Sequence, residues 1–383
     1  MPAFWQRELF RDAVSMTFAQ THELDLPKAG QLGSLVLYIT STTNGYSLLG
    51  AVPKWRLIDY ISKIEIIGDG SEVIKSFDGK EALAEAFYDD GQEPPGMWRT
   101  YSSTPQRQWI PIHFGRKLMD ELYGLDLSRF NQVTLKITND ATSTEFSTDI
   151  KLTVFAYWLR DALGPFGGYF RSEVWKSWLP VAAAVEYSEL PIALPIRRIV
   201  LEARPARTTA TCKNVSTMID LMSDIDLTFK TGQLRVFKGS LRHLGHLSIL
   251  ELGRFVETEG AIDRTGTLGF EVGCGYCLQN LGSGMADANG LTSVRANMMQ
   301  DVQDSAQEMA YRSATGMLAW KVRGFGYMHT VPLWIARKPD LDDMLDPETN
   351  KVVKLDIATL TGLTLTGTDR DARNAIILSR LVR

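Results

Sequence analysis

The chain has 383 residues, 44% of them hydrophobic and 22% charged, and a net charge of -4. That length exceeds the roughly 250–300 residues that one hydrophobic core usually serves, so two cores are expected, and the composition leaves little room for long disorder. A mildly acidic chain with no run of five like charges argues against a grip on a nucleic-acid backbone, and no sequence-specific nucleic-acid partner is expected.

In chain order, residues 1–13 read as an amphipathic N-terminal helix, with Phe4, Trp5, Leu9 and Phe10 near one side and Gln6, Arg7, Arg11 and Asp12 mostly on the other. Such a helix could dock on its own domain, on a neighbour or on a lipid surface, where Trp and Phe beside Arg suit an interface. The charges within it leave no apolar core for a signal peptide. Elsewhere no apolar run reaches the eighteen residues of a membrane helix.

Beyond this start the apolar pattern alternates with period two. Ser34 to Thr40, Leu57 to Ile67, Gln108 to Phe114, Gln132 to Thr138 and Asp149 to Tyr157 are short, rich in β-branched and aromatic residues, and bounded by turn formers, so they are expected to be strands. Lys80 to Tyr88 and Arg116 to Tyr123 are expected to be short helices between strands. The glycine-rich Leu163 to Tyr169 and the aromatic run after it are expected to form a linker over 164–185. The first domain then covers 14–163 and the second 186–383. In the second half, strands are expected at Ile199 to Ala203, Met218 to Phe229, Gln233 to Phe237, Thr267 to Val272, Met317 to Val322, His329 to Ile335, Val352 to Thr366 and Ala375 to Val382, with one long helix at Thr292 to Tyr311.

The two halves echo one another. Ile58-Asp59-x-x-Ser62-x-Ile64 recurs as Ile219-Asp220-x-x-Ser223-x-Ile225, offset by 161 residues, and Phe77-x-Gly79 recurs as Phe237-x-Gly239, offset by 160. Between the two blocks of each copy stands a turn glycine, Gly70 or Gly232. A period of this size is a domain and not a solenoid repeat. The expected fold class is therefore all-β with short helical insertions, as two tandem eight-stranded jelly-roll sandwiches.

Chemistry-bearing patterns are sparse. Cys274-Gly-Tyr-Cys277 with His243-x-x-His246 has the donor types of a tetrahedral zinc site, but alternation along a strand would turn the two cysteines to opposite faces, and burial as small apolar residues is the favoured reading. With Cys212 they are the only cysteines, which excludes a disulfide-stapled secreted scaffold. Arg323-Gly-Phe-Gly-Tyr327 imitates the start of an RNA-recognition strand, yet Met328-His329-Thr330 breaks the pattern, and a bulge or turn is expected. The acidic segment Asp340 to Glu348 lacks a calcium-loop pattern and reads as a solvated hairpin tip. Neither a nucleophile elbow nor a phosphate loop is present, and the five histidines nominate no catalytic grouping. No catalytic residue, cofactor or metal is therefore assigned.

Ile61, Ile64 and Gly70 in the first half and Met222, Ile225 and Gly232 in the second make a strand–turn–strand unit followed by Phe-x-Gly. Together with Trp109 to Phe114, Leu125 to Phe130 and Val133 to Ile137, this pattern resembles the double jelly-roll major capsid proteins of tailless icosahedral viruses, many with an internal membrane. The glycine- and methionine-rich insertion at 273–316 and the longer second half depart from it. The resemblance implies a non-enzymatic virion shell protein, assembled in the host cytoplasm, whose homotrimers are pseudo-hexagonal tiles meeting neighbouring trimers and penton or minor capsid proteins. It also implies an N-terminal segment that faces inward, with possible peripheral contact to an internal lipid membrane. A tandem-sandwich carbohydrate-binding protein or glycoside hydrolase is the alternative, and it requires exposed tryptophans beside a carboxylate pair. A minor virion or spike protein sharing the fold is a third reading.

Overall fold

The computed structural model describes residues 3–44, 56–98, 103–162, 164–204, 218–230, 232–271, 274–287, 290–292, 308–335, 352–361 and 372–383, those from 258 to 322 by backbone alone. The chain divides into two compact units. The first takes the described residues up to Glu173 together with Ser379–Arg383, and the second runs from Val174 to Leu378.

The first half contains β1 (Phe4–Met16), β2 (Thr21–Asp25), β3 (Gln31–Thr42), a 3-10 turn at Leu57–Tyr60, β4 (Ile61–Gly68), β5 (Glu72–Phe77), α1 (Gly79–Asp90), β6 (Gly96–Met97), β7 (Pro105–His113), β8 (Leu125–Asp126), β9 (Val133–Asn139) and β10 (Ile150–Arg160). One sheet runs β1-β10-β3-β7-β6, with the two-residue β8 also on β3, and the other contains β2-β9-β4-β5. Strand alternation gives each sheet an apolar face: in β9, Val133, Leu135 and Ile137 are buried while Thr134, Lys136 and Thr138 are not. Each fully buried aliphatic side chain contributes about 1.5–3 kcal/mol relative to exposure.

The second half contains β11 (Tyr169–Trp178), β12 (Val185–Glu189), β13 (Ile196–Arg204), α2 (Met218–Leu221), β14 (Asp224–Phe229), β15 (Leu234–Gly239), α3 (Leu241–Leu252), β16 (Val256–Glu271), β17 (Cys274–Asp287), β18 (Gly290–Thr292), β19 (Glu308–Tyr327), β20 (Thr330–Trp334), β21 (Val353–Ala358) and β22 (Arg373–Val382). Its strand orders are β11-β22-β13-β20 and β12-β21-β14-β15. Ile199, Leu201, Ile225, Leu227, Leu355 and Ile357 are among the residues that fill its core.

The two halves are topological copies. The order β1-β10-β3-β7 matches β11-β22-β13-β20, and β2-β9-β4-β5 matches β12-β21-β14-β15, strand for strand. Each set is an eight-strand double-sheet jelly roll. They differ in the passage from the helix to the next strand of the roll. In the first, α1 reaches β7 through residues 91–104. In the second, the passage from α3 to β20 holds an extra antiparallel sheet, β16-β19-β17-β18.

Several expectations are corrected. The helix expected over 1–13 is absent from its described residues: Phe4–Met16 is a strand, paired antiparallel to β10 from Phe4↔Arg160 to Met16↔Ile150. Bulges between Leu9 and Arg11 and between Arg11 and Val14 interrupt its period, which let the sequence imitate a helical stripe. The expected linker 164–185 contains β11, an aromatic strand whose counterpart is β1. Arg116 to Tyr123 is a sequence of turns with Met119 at φ 58°, because the Asp120 carboxylate accepts the Arg116 and Leu122 backbone N–H groups. The strands expected from Leu57 and Met218 each begin with a short helical turn instead. Most of the helix expected at Thr292 to Tyr311 lies outside the described residues, and its described ends belong to β18 and β19. The acidic segment Asp340 to Glu348 also lies outside them.

Candidate functional site

The repeated residues occupy equivalent places. Gly70 follows Asp69 in the turn between β4 and β5 at φ 74°, and Gly232 closes the turn between β14 and β15 at φ 85°. A Cβ on either would meet nothing within 4 Å, so each glycine is required by its left-handed backbone and not by space. Both turns are pinned alike: the Asp69 N–H donates to the Gln132 carbonyl at 2.8 Å and the Lys230 N–H to the Val352 carbonyl at 2.9 Å. The repeated serines match as well, since Ser62 Oγ donates to the Thr138 carbonyl at 3.2 Å and Ser223 Oγ to that of Ala358 at 3.1 Å.

Gly79 and Gly239 stand where strand passes into helix. A Cβ on Gly79 would lie 2.7 Å from Ile58 Cδ1 and 2.8 Å from the Ile58 carbonyl oxygen, whereas one on Gly239 would meet the His243 ring at 3.2 Å. Both following helices are twelve residues long, begin with a capping box and end on a left-handed glycine, Gly91 or Gly253. In α1 the Asp78 carboxylate accepts the Glu81 N–H at 2.9 Å while Glu81 accepts that of Asp78 at 2.6 Å. In α3 Ser240 and His243 take those parts.

Phe4, Trp5, Leu9 and Phe10 share no single face, since neighbours on a strand point to opposite sides. Trp5 lies on Gly33, where an added Cβ would stand 2.4 Å from its ring, and the Arg11 guanidinium covers Phe10 at 4.2 Å. Phe4 and Leu9 are 48% and 49% exposed. β1 ends its sheet, and β15 ends the sheet β12-β21-β14-β15. On β15, Leu234 and Val236 are 51% and 41% exposed.

The residues considered for zinc have other places. His243 caps α3, and the ring of His246 stands edge-on to Phe325 at 5.6 Å. Cys274 and Cys277 pair through their backbones with Tyr327 and Gly324 on β19, and their side chains lie outside the described residues. The Arg323 to Tyr327 segment is the end of β19, and the turn comes at Met328 and His329, whose φ values are 52° and 66°.

Sequence reasoning missed a Ser-His-Asp chain. His113 Nδ1 lies 2.9 Å from Ser34 Oγ and His113 Nε2 lies 2.9 Å from Asp90 Oδ2. Ser34 is fully buried and His113 is 3% exposed, so no substrate carbonyl reaches the hydroxyl. Asp90 also accepts the Leu118 N–H at 3.2 Å. These bonds fasten the last turn of α1 to β3, β7 and the turn after β7. No sequence spacing could have shown them, because the three residues come from separate elements.

No family model matches this sequence, and no curated protein matches it. Among solved structures the chain is similar to the PBCV-1 virus capsid at TM-score 0.57 and 10% identity, covering 99% of this chain and 93% of that one. It is similar to the major capsid protein of bacteriophage PM2 at TM-score 0.53 and 8% identity, covering 99% and 98%. A chain of Sulfolobus turreted icosahedral virus gives TM-score 0.52 and 10% identity over 84% and 90%. Identity this low carries the fold: the chain is a double jelly roll of the kind seen in those three structures.

Proposed function

We propose that this chain is the major capsid protein of an icosahedral virus, a non-enzymatic shell subunit whose product is shape. The single observation that carries the reading is the duplication of a complete jelly roll within one chain, matched over nearly its whole length by capsid chains. Two similar rolls per chain let three copies set six similar sandwiches around a threefold axis, a tile that packs hexagonally. Neighbouring trimers are the first partners of such a tile, and penton or minor capsid proteins fill the vertices it cannot occupy. Assembly in a reducing host cytoplasm suits a chain with three cysteines. Contact with an internal membrane, if the particle has one, would be peripheral, because no described helix is long and apolar enough to cross a bilayer.

Among the described residues the carbohydrate reading lacks the exposed tryptophans it requires. Among the described residues no tryptophan ranks with the exposed large hydrophobics, and Trp98 and Trp158 are buried at 6% and 2% exposure. Light scattering on the purified protein tests the proposal. The expected mass is three times the 42.8 kDa chain, and a stable monomer at micromolar concentration would contradict it.

A further inference from the structure

The geometry points to a specific joint between copies of this chain, in which β1 of one copy adds in parallel to the edge of β15 that no described strand pairs, on the next. This inference rests on the capsid reading and names the surfaces that would close its ring.

The pattern for the joint lies inside the first compact unit. There the leading half of β11 runs parallel to β5, with Ser172 opposite Lys75 and Glu173 opposite Ser76. Lys75 Nζ donates to Ser172 Oγ at 3.1 Å, and the Tyr169 hydroxyl bonds the Glu72 carboxylate. In the duplicated topology β11 is the counterpart of β1, and β5 is the counterpart of β15. The sequences agree with this match. Phe4-Trp5-Gln6-Arg7-Glu8-Leu9-Phe10 aligns without a gap on Tyr169-Phe170-Arg171-Ser172-Glu173-Val174-Trp175, aromatic on aromatic, Glu on Glu and aliphatic on aliphatic.

Exposure separates the two pairs. Tyr169 is fully buried and its counterpart Phe4 is 48% exposed, while Ile74 is fully buried and its counterpart Leu234 is 51% exposed. In α1 every residue from Gly79 to Tyr88 is buried, whereas in α3 only Leu241, Leu244, Gly245 and Ser248 are, and Leu250 is 74% exposed. The same strand and helix surfaces that are covered in the middle of the chain are thus open at β1 and at β15 with α3.

Open, apolar strand edges are sites of strand addition, and natural proteins usually blunt them unless they are used. The occupant with the matching shape is the β1 of a second copy. Because the donor edge and the acceptor edge differ, the contact is head to tail, and such contacts form rings when the rotation closes. Transferring the internal register places Arg7 opposite Arg235 and Glu8 opposite Val236. Arg235 is already neutralised by Asp226 at 2.9 Å, and Glu8 of the incoming strand adds another carboxylate beside it.

The test is a cysteine pair, Glu8→Cys with Val236→Cys, treated with a short bis-maleimide as purified protein. The wild type and each single variant serve as controls for the three native cysteines. Linked dimers and trimers should form roughly a hundredfold faster in the double variant than in either single one, since juxtaposition raises effective concentration. Crosslinking no faster than in the single variants, in protein that light scattering still finds trimeric, would overturn the joint and leave the capsid reading intact. A monomeric wild type would overturn both. As a second variant, Leu234→Asp with Val236→Asp alters only exposed side chains and should raise the concentration for half-dissociation at least about tenfold. An unchanged value in folded protein would count against the joint.

Discussion

The carboxylate of Asp59 receives both the backbone N–H and the guanidinium of Arg56, at 2.9 Å in each case, and neither side chain is exposed. Lys80 Nζ stands 3.3 Å from the same carboxylate, and the Arg56 guanidinium lies over the Trp98 ring at 5.2 Å. Trp98 in turn donates to Gln108 Oε1 at 2.6 Å. The repeated aspartate of the first half is therefore the anion that two buried cations share, at the point where the 3-10 turn enters β4.

Replacing Asp59 by Ala leaves that positive charge in the interior without its carboxylate, which costs about 3–5 kcal/mol in comparable buried pairs. Denaturant unfolding followed by tryptophan fluorescence should show the loss. Replacing Arg56 and Asp59 together by Met and Leu should cost clearly less than the single change, because the fully buried guanidinium leaves with its carboxylate and only Lys80 then loses a partner. Equal losses would show that the pair is not the reason for the cost.

The four repeat glycines should fail in two different ways. Gly70→Asn and Gly232→Asn should be tolerated better than Gly70→Val and Gly232→Val, because Asn enters the left-handed region and a β-branched residue resists it. Gly79→Ala should destabilise by about 1–3 kcal/mol through overlap with Ile58. Thermal melts of the set would read this order directly, and a harmless Gly79→Ala would contradict the close approach.

Acid should weaken the first unit through Asp120. Burial raises its pKa, but hydrogen bonds from the Arg116 side chain, the Arg116 N–H and the Leu122 N–H, with the guanidinium charge, outweigh that and hold it below the ordinary 3.8. A lowered folded-state pKa stabilises above the unfolded value and is lost as pH falls through the folded one. Asp120→Asn should therefore be destabilising at pH 7, and its deficit should shrink below about pH 4. A deficit that stays constant down to pH 2 would contradict this account.

Ser34 should be chemically silent despite its histidine and aspartate. A fluorophosphonate probe should leave the native chain unlabelled, since catalysis by such a chain needs an accessible hydroxyl and an oxyanion site. Labelling of Ser34 in folded protein, seen by peptide mass spectrometry, would revive a hydrolase reading. His113→Ala should instead loosen the end of α1, detected as faster amide exchange there.

What the sequence made legible is what the backbone itself demands. Gly70, Gly232 and the Phe-x-Gly units stood out because a left-handed turn and a crowded strand-to-helix passage accept few residues, and duplication placed each demand twice. Of the core strands, β9 was legible from clean alternation, and β3, β7 and β10 from short runs of β-branched and aromatic residues bounded by turn formers. β1 was not, because its two bulges shift the apolar residues until they fit a helical wheel. α3 was hidden by His243 and His246, which resemble metal donors at helical spacing but serve as a cap partner and a ring neighbour. Arg116 to Tyr123 has helical composition, and its turns come from the hydrogen bonds of one buried carboxylate, a tertiary effect beyond any local propensity. The joint proposed for β1 and β15 was within reach of the sequence, since the β1 and β11 segments align residue by residue; the helical reading of the first and the linker reading of the second concealed it.

Electron microscopy of the purified protein, averaged in projection, tests the central claim most directly. The account predicts a particle with threefold symmetry and six similar lobes, two from each chain. Particles of two lobes only, with no ring at any concentration up to tens of micromolar, would contradict it.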